Sequence, residues 1–178
     1  NAFLTGSWHY ARGLAFVATK QIQQAELALE SLRGILAMQD PNWDHPLFSP
    51  NKARSVLAIG PEVLAGEIAA AKGKFDEAIG YLDRAVRLED GLIYTEPTEW
   101  HSPPRLVLGA ILLEAGRPAE AETVYWDDLR RNRNNGWALY GLSQALRAQA
   151  KHDLARIIED RFILAWERSD LTLYASRL

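Results

Sequence analysis

Small residues recur along this chain in one fixed order. Gly66, Gly73 and Ala78 are followed by Gly109, Gly116 and Ala121 with the same internal spacing. The physical meaning of that order is a tight helical hairpin. Gly73 and Gly116 suit the left-handed position just past a helix C-terminus, where glycine meets no steric penalty. Asp76-Glu77 and Pro118-Ala119-Glu120 then open a second helix. Acidic side chains suit the positive end of the helix dipole, and proline suits the first turn. Gly66 and Gly109 in the first helices are expected to face Ala78 and Ala121 in the second, letting the axes approach closely. Two looser copies run Arg12-Gly13, Phe16, Lys20, Ala25, Leu29 and Leu142-Ser143, Leu146, Ala150, Ala155, Phe162. With 26 Ala and 25 Leu among 178 residues, the chain has a helix-forming composition rich in small packing residues.

This pattern resembles the tetratricopeptide repeat family. The match is best over 61–90 and 104–135, and extends to 136–167 and 6–32. The resemblance implies an all-α fold, an α–α superhelix or solenoid of about four helical hairpins and about eight helices. It places repeats at about 6–32, 58–90, 104–135 and 136–167 of a single domain over 1–178. Ala121 and Ala155 are 34 residues apart, the period of the family. Ala25 to Ala78 spans 53 and Ala78 to Ala121 spans 43, so 19 and 9 residues are inserted. Ser143 and Ala150 stand where the family has glycine, so the last turn lacks its usual residue. A chain that starts without Met and is helical by Trp8 reads as the C-terminal region of a longer bacterial-type repeat protein.

The insertions fall at about 39–51 and 90–103, where turn residues are densest. The first reads Gln-Asp-Pro-Asn-Trp-Asp-His-Pro-Leu-Phe-Ser-Pro-Asn, and the second carries Pro97, Trp100, His101 and Pro103. Helices are predicted at about 6–19, 22–38, 51–72, 75–89, 103–115, 118–132, 136–150 and 153–167. Gly60-Pro61 lies inside the third, where a missing backbone N–H predicts a kink or break. Helices of about fifteen residues punctuated by glycine do not suit a coiled coil.

Composition excludes several chemistries. Without cysteine there is no disulfide framework, thiolate zinc site or thiol nucleophile. A net charge of −3 argues against a nucleic-acid-coating protein. No apolar stretch approaches the ~20 residues that cross a bilayer, so no membrane insertion is expected and a soluble protein of cytoplasm or periplasm is. Three of the four histidines sit beside tryptophan, as Trp8-His9, Trp43-Asp44-His45 and Trp100-His101. A metal or acid–base site is conceivable there, but no histidine pair has i,i+4 spacing and no HExxH motif occurs. His9 is expected to pack, and His101 to lead into a helix. Ser49 and Ser102 precede proline and read as helix caps. Asp127-Asp128 and Glu89-Asp90 read as solvated charge, and the Arg130-Arg131-Asn132-Arg133 run as cations favoured at a helix C-terminus. No catalytic residue, metal or cofactor is expected.

In the family that this chain resembles, the first helix of each hairpin lines an inner groove where peptides lie. Carried over, the groove positions include Tyr10, Leu14, Val63, Glu67, Leu106, Glu114, Trp137, Tyr140, Gln144 and Arg147. Val17, Ala70, Ala110 and Leu113 join them. This surface is largely apolar, with aromatics at both ends. Leu14, Val63, Glu67, Leu106 and Ala110 stand where a carboxylate clamp would need basic and asparagine residues, so an apolar or helical ligand is expected. The expected function is a non-catalytic scaffold binding a protein or peptide partner. Either the groove is open, or the insertions fold into it and Tyr10, Trp137 and Tyr140 are core. A structural module packing on further repeats is the other reading. The tail, 168–178, either caps the last repeat or docks on a second copy as a homo-oligomer contact.

Overall fold

Each predicted hairpin turn is present with one backbone geometry. The computed structural model describes residues 1–38, 43 and 50–177. Lys20, Gly73, Gly116 and Ala150 all take positive φ, near 60, 73, 72 and 58°. At each, the N–H of that residue and of the next return to the preceding helix, as Gly73 N to Ala70 O and Lys74 N to Ala69 O. These bonds satisfy carbonyls that a helix end leaves without partners. The left-handed turn therefore survives at Lys20 and Ala150, where no glycine is available.

The described residues form helices and no strand. They are α1 (Ala2–Ala18), α2 (Ile22–Ala37), α3 (Ala53–Leu57), α4 (Ile59–Ala71), α5 (Phe75–Asp90), α6 (Pro104–Glu114), α7 (Pro118–Arg131), α8 (Gly136–Ala148) and α9 (His152–Trp166). The chain is all-α, and α1/α2, α4/α5, α6/α7 and α8/α9 pair as successive hairpins. They fall into two compact units, Asn1–Ser102 and Pro103–Leu178, each stacking two hairpins in the manner of an α–α solenoid. The predicted third helix is interrupted at Ala58, upstream of Pro61. The break puts Pro61 in the first turn of α4, where its missing N–H has no helical partner to lose.

In unit 1, α4 packs on α1, α2 and α5. Its residues Val63–Ala70 are buried on nearly every side, as expected of a helix apolar all round. Leu32, Leu57, Leu64 and Leu82 fill this core. The Asn51 side chain, at the edge of the first insertion, joins the main chain of the second through a reciprocal pair. Asn51 Nδ2 donates to Ile93 O and accepts from Ile93 N at Oδ1, both at 2.8 Å.

In unit 2, α8 packs on α6, α7 and α9 around Ile111, Leu139, Leu142, Leu146 and Ile158. Ala25, Ala78, Ala121 and Ala155 are all buried at the crossings. The predicted partners of the glycines need correction by one helical turn. A Cβ on Gly66 would lie 2.7 Å from Leu82, and one on Gly109 would lie 2.4 Å from Tyr125. Ala78 and Ala121 bring the axes together, and the glycines make room for the large residue one turn later.

Candidate functional site

Tyr125 organises one face of unit 2. It rises from α7 and its ring lies between the first helices of both hairpins. A Cβ on Gly141 would come within 2.2 Å of the ring, as close as one on Gly109. The ring is fully buried, and burial raises the phenol pKa above its ordinary value. Its hydroxyl lies between α6 and α8, and there it meets the tail.

Residues 167–177 run without helix from the end of α9. Trp166 Nε1 donates to Leu171 O at 2.7 Å, turning the chain back. Leu173 and Ser176 are buried, while Tyr174 is 89% exposed. Ser176 Oγ donates to Leu106 O at 2.7 Å and lies 2.6 Å from the Tyr125 hydroxyl. A serine hydroxyl has one proton, so Tyr125 is the donor in the second bond. Arg177 then pairs with Glu114, its Nη2 2.8 and 3.0 Å from the two carboxylate oxygens. The tail thus bonds to Leu106 at the start of α6 and Glu114 at its end. Both are predicted groove positions. It does not cover the outer side of α9, where Ile157, Ile163 and Leu164 stay exposed.

The other predicted groove residues of unit 2 sit elsewhere on α8. Trp137 packs edge-on against Trp166 at 5.6 Å, and Tyr140 against Phe162 at 5.6 Å. Arg147 is held by the Glu159 carboxylate, which lies below its usual pKa because of that guanidinium. Gln144 is exposed beside Ser143. These four residues line the α8/α9 side of the last hairpin.

In unit 1, Tyr10 is buried against Trp100 at 5.2 Å and His101 at 5.9 Å. The second insertion therefore covers that position. Burial, and then the Glu67 charge, hold the Tyr10 phenol well above its ordinary pKa. Val63 and Glu67 are buried and Leu14 is half-buried. The indole N–H groups of Trp43 and Trp100 and Nδ1 of His9 are buried and have no hydrogen-bond partner among the described residues. Asp44, His45, Phe48, Ser49 and Leu178 lie outside the described residues. Among the described residues, no group of three or more His, Asp or Glu is placed to hold a metal, and no helix is long and apolar enough to cross a membrane.

Two sequence readings are corrected. Asp128 is not solvated: it is 1% exposed and accepts from Asn132 Nδ2 at 3.1 Å and Asn135 Nδ2 at 2.8 Å. Burial raises its pKa despite those donors. Asn135 also caps α8, its Oδ1 accepting from Trp137 N at 3.2 Å, so Asp128 ties the α7–α8 turn together. Ser102 is not the cap of α6, because Pro103 holds that position and Pro104 opens the helix. Sequence reasoning also missed Tyr125 and Ser176 as members of the site. Their signal is weak: two large-against-small pairs around one tyrosine, and a serine in a short tail.

No family model matches the chain. No curated protein matches it either.

Proposed function

We propose that this chain is a non-catalytic helical-repeat scaffold of the tetratricopeptide type, and that the α6/α8 face of unit 2 binds a segment of a partner protein. One observation carries this reading: a non-helical segment already lies on that face, held by a main-chain carbonyl, a tyrosine hydroxyl and a carboxylate. The face thus offers hydrogen-bonding groups and a buried apolar contact to a peptide, which is how grooves of this kind recognise segments. A photo-cross-linking residue in place of Leu113, the half-buried neighbour of Glu114, in the full chain tests it. A discrete protein adduct in the source cell is expected from that position. The same residue at Arg156 on α9 is the control, and equal adducts from both positions, or none from either, contradict the reading.

A second reading has its own observation. Trp8 is 54% exposed and Leu4 65% exposed on α1, and Leu27 is exposed on α2. That surface suits a structural role in which unit 1 packs on a further repeat. Trp8→Ala with Leu4→Ser then disrupts assembly without changing the helicity of this chain.

A further inference from the structure

The tail is a poor cap. A cap covers apolar surface, yet Leu171 and Tyr174 point into solvent and the exposed apolar residues of α9 are left bare. What the tail does satisfy is polar and specific. Ser176 places one hydroxyl between the carbonyl of Leu106 and the hydroxyl of Tyr125, donating to the carbonyl and accepting from the phenol. Arg177 brings a cation to Glu114, a carboxylate that stays partly open to water. Leu173 supplies the apolar contact three residues before the serine. The Tyr125 hydroxyl reaches this face only because Gly109 and Gly141 leave a passage for the ring. Without a hydroxyl on the partner, the Tyr125 donor would lose its bond here, and a buried donor left so is costly.

We propose that the α6/α8 face selects a non-helical peptide with an apolar residue, a serine or threonine three places later, and a lysine or arginine immediately after. Residues 173–177 of the chain itself occupy the place of that peptide and compete with it. This rests on the reading of the face as a peptide-binding surface, and adds the ligand chemistry and the competitor. A tethered segment acts at an effective concentration of about millimolar. A free peptide making the same contacts therefore binds the unaltered chain about tenfold or more weakly than a chain whose tail is released.

The test is selection from a random displayed peptide library on the full chain carrying Arg177→Glu, which turns the ion pair with Glu114 into a repulsion. Arg177→Ala serves as a second variant if the first does not fold, with circular dichroism as the check. The expected result is an enriched apolar-x-x-Ser/Thr-Lys/Arg pattern. Binding of those peptides should weaken at least about tenfold on the unaltered chain, and be lost on adding Glu114→Ala, which removes the carboxylate without supplying a cation to the substituted position 177. Enriched peptides that lack the hydroxyl–cation pair, or ignore Glu114→Ala, overturn the ligand chemistry and leave the peptide-binding reading standing. No enrichment on either folded variant overturns both. A dimer of the unaltered chain that Glu114→Lys dissolves would put a second copy's tail in this place and overturn the separate partner.

Discussion

Tyr125 and Ser176 lie 51 residues apart and share a buried 2.6 Å hydrogen bond. The tyrosine belongs to a repeat hairpin and the serine to the tail that follows the last one. Their meeting makes the tail part of unit 2. It also defines which side of the hairpins carries recognition groups, because the ring passes between α6 and α8 to get there.

That pair should behave as coupled. Tyr125→Phe removes one bond and leaves Ser176 its bond to Leu106, a loss of about 1 kcal/mol. Ser176→Ala leaves the buried phenol without its partner and takes from the Leu106 carbonyl its second bond, costing about 1–3 kcal/mol. The double variant should lose less than the sum of the two. Urea unfolding followed by tryptophan fluorescence measures all three, and strict additivity would mean that the bond contributes nothing.

Glycine-to-alanine changes should separate close crossings from open helix. At Gly109 and Gly141 a methyl group would fall within 2.5 Å of the Tyr125 ring, and the overpacking should cost about 1–3 kcal/mol. At Gly34 in α2 no atom of the described residues lies within 4 Å, so the same change should stabilise by about 0.5–1 kcal/mol through helix propensity. Thermal melts that fail to show opposite signs contradict the packing described.

The four left-handed turns offer a second contrast. Ala150 has φ 58°, a conformation that costs a residue with a Cβ about 1–2 kcal/mol. Ala150→Gly removes that strain against a smaller entropic penalty and should raise stability by about 0.5–1 kcal/mol. Gly116→Ala should lower it by a similar amount. Chemical denaturation midpoints decide the point.

His101 should make unit 1 acid-sensitive. The residue keeps an exposed side, and partial burial of the ring against Tyr10 and Trp100 lowers its pKa below the ordinary value of 6.5, an effect that water screens in part. The unfolded chain then binds the proton more readily than the folded one. The contribution to stability is complete above the unfolded pKa and is lost as pH falls through it toward the lower folded value. Melting temperatures of the unaltered chain and His101→Gln between pH 8 and 5 should diverge at the neutral end and converge at the acid end.

The hairpins were legible in the sequence because their turns obey local rules. The left-handed residues 20, 73, 116 and 150 stand 53, 43 and 34 apart, the intervals already visible between Ala25, Ala78, Ala121 and Ala155. Local chemistry also predicted an interruption near Pro61. It misplaced the partners of Gly66 and Gly109, because periodicity identifies a face and not which side chain fills the gap. Leu106 and Glu114 were named as groove positions, and both meet the tail. The tail's path was illegible: the Ser176 to Leu106 bond spans 70 residues, and a single serine carries no periodic signal. Asp128 was misread because its burial depends on Asn132 and Asn135 folding back from the next turn.

The central claim is that the α6/α8 face is a peptide-binding surface on which the chain's own tail sits. Its most direct measurement is the fluorescence anisotropy of a labelled peptide of residues 168–177, titrated with the full chain and with its Arg177→Glu variant. Saturable binding at least about tenfold tighter to the variant, abolished when Glu114→Ala is added, is the predicted result. Equal affinity for both chains, or no binding to a variant of unchanged helicity, would contradict it.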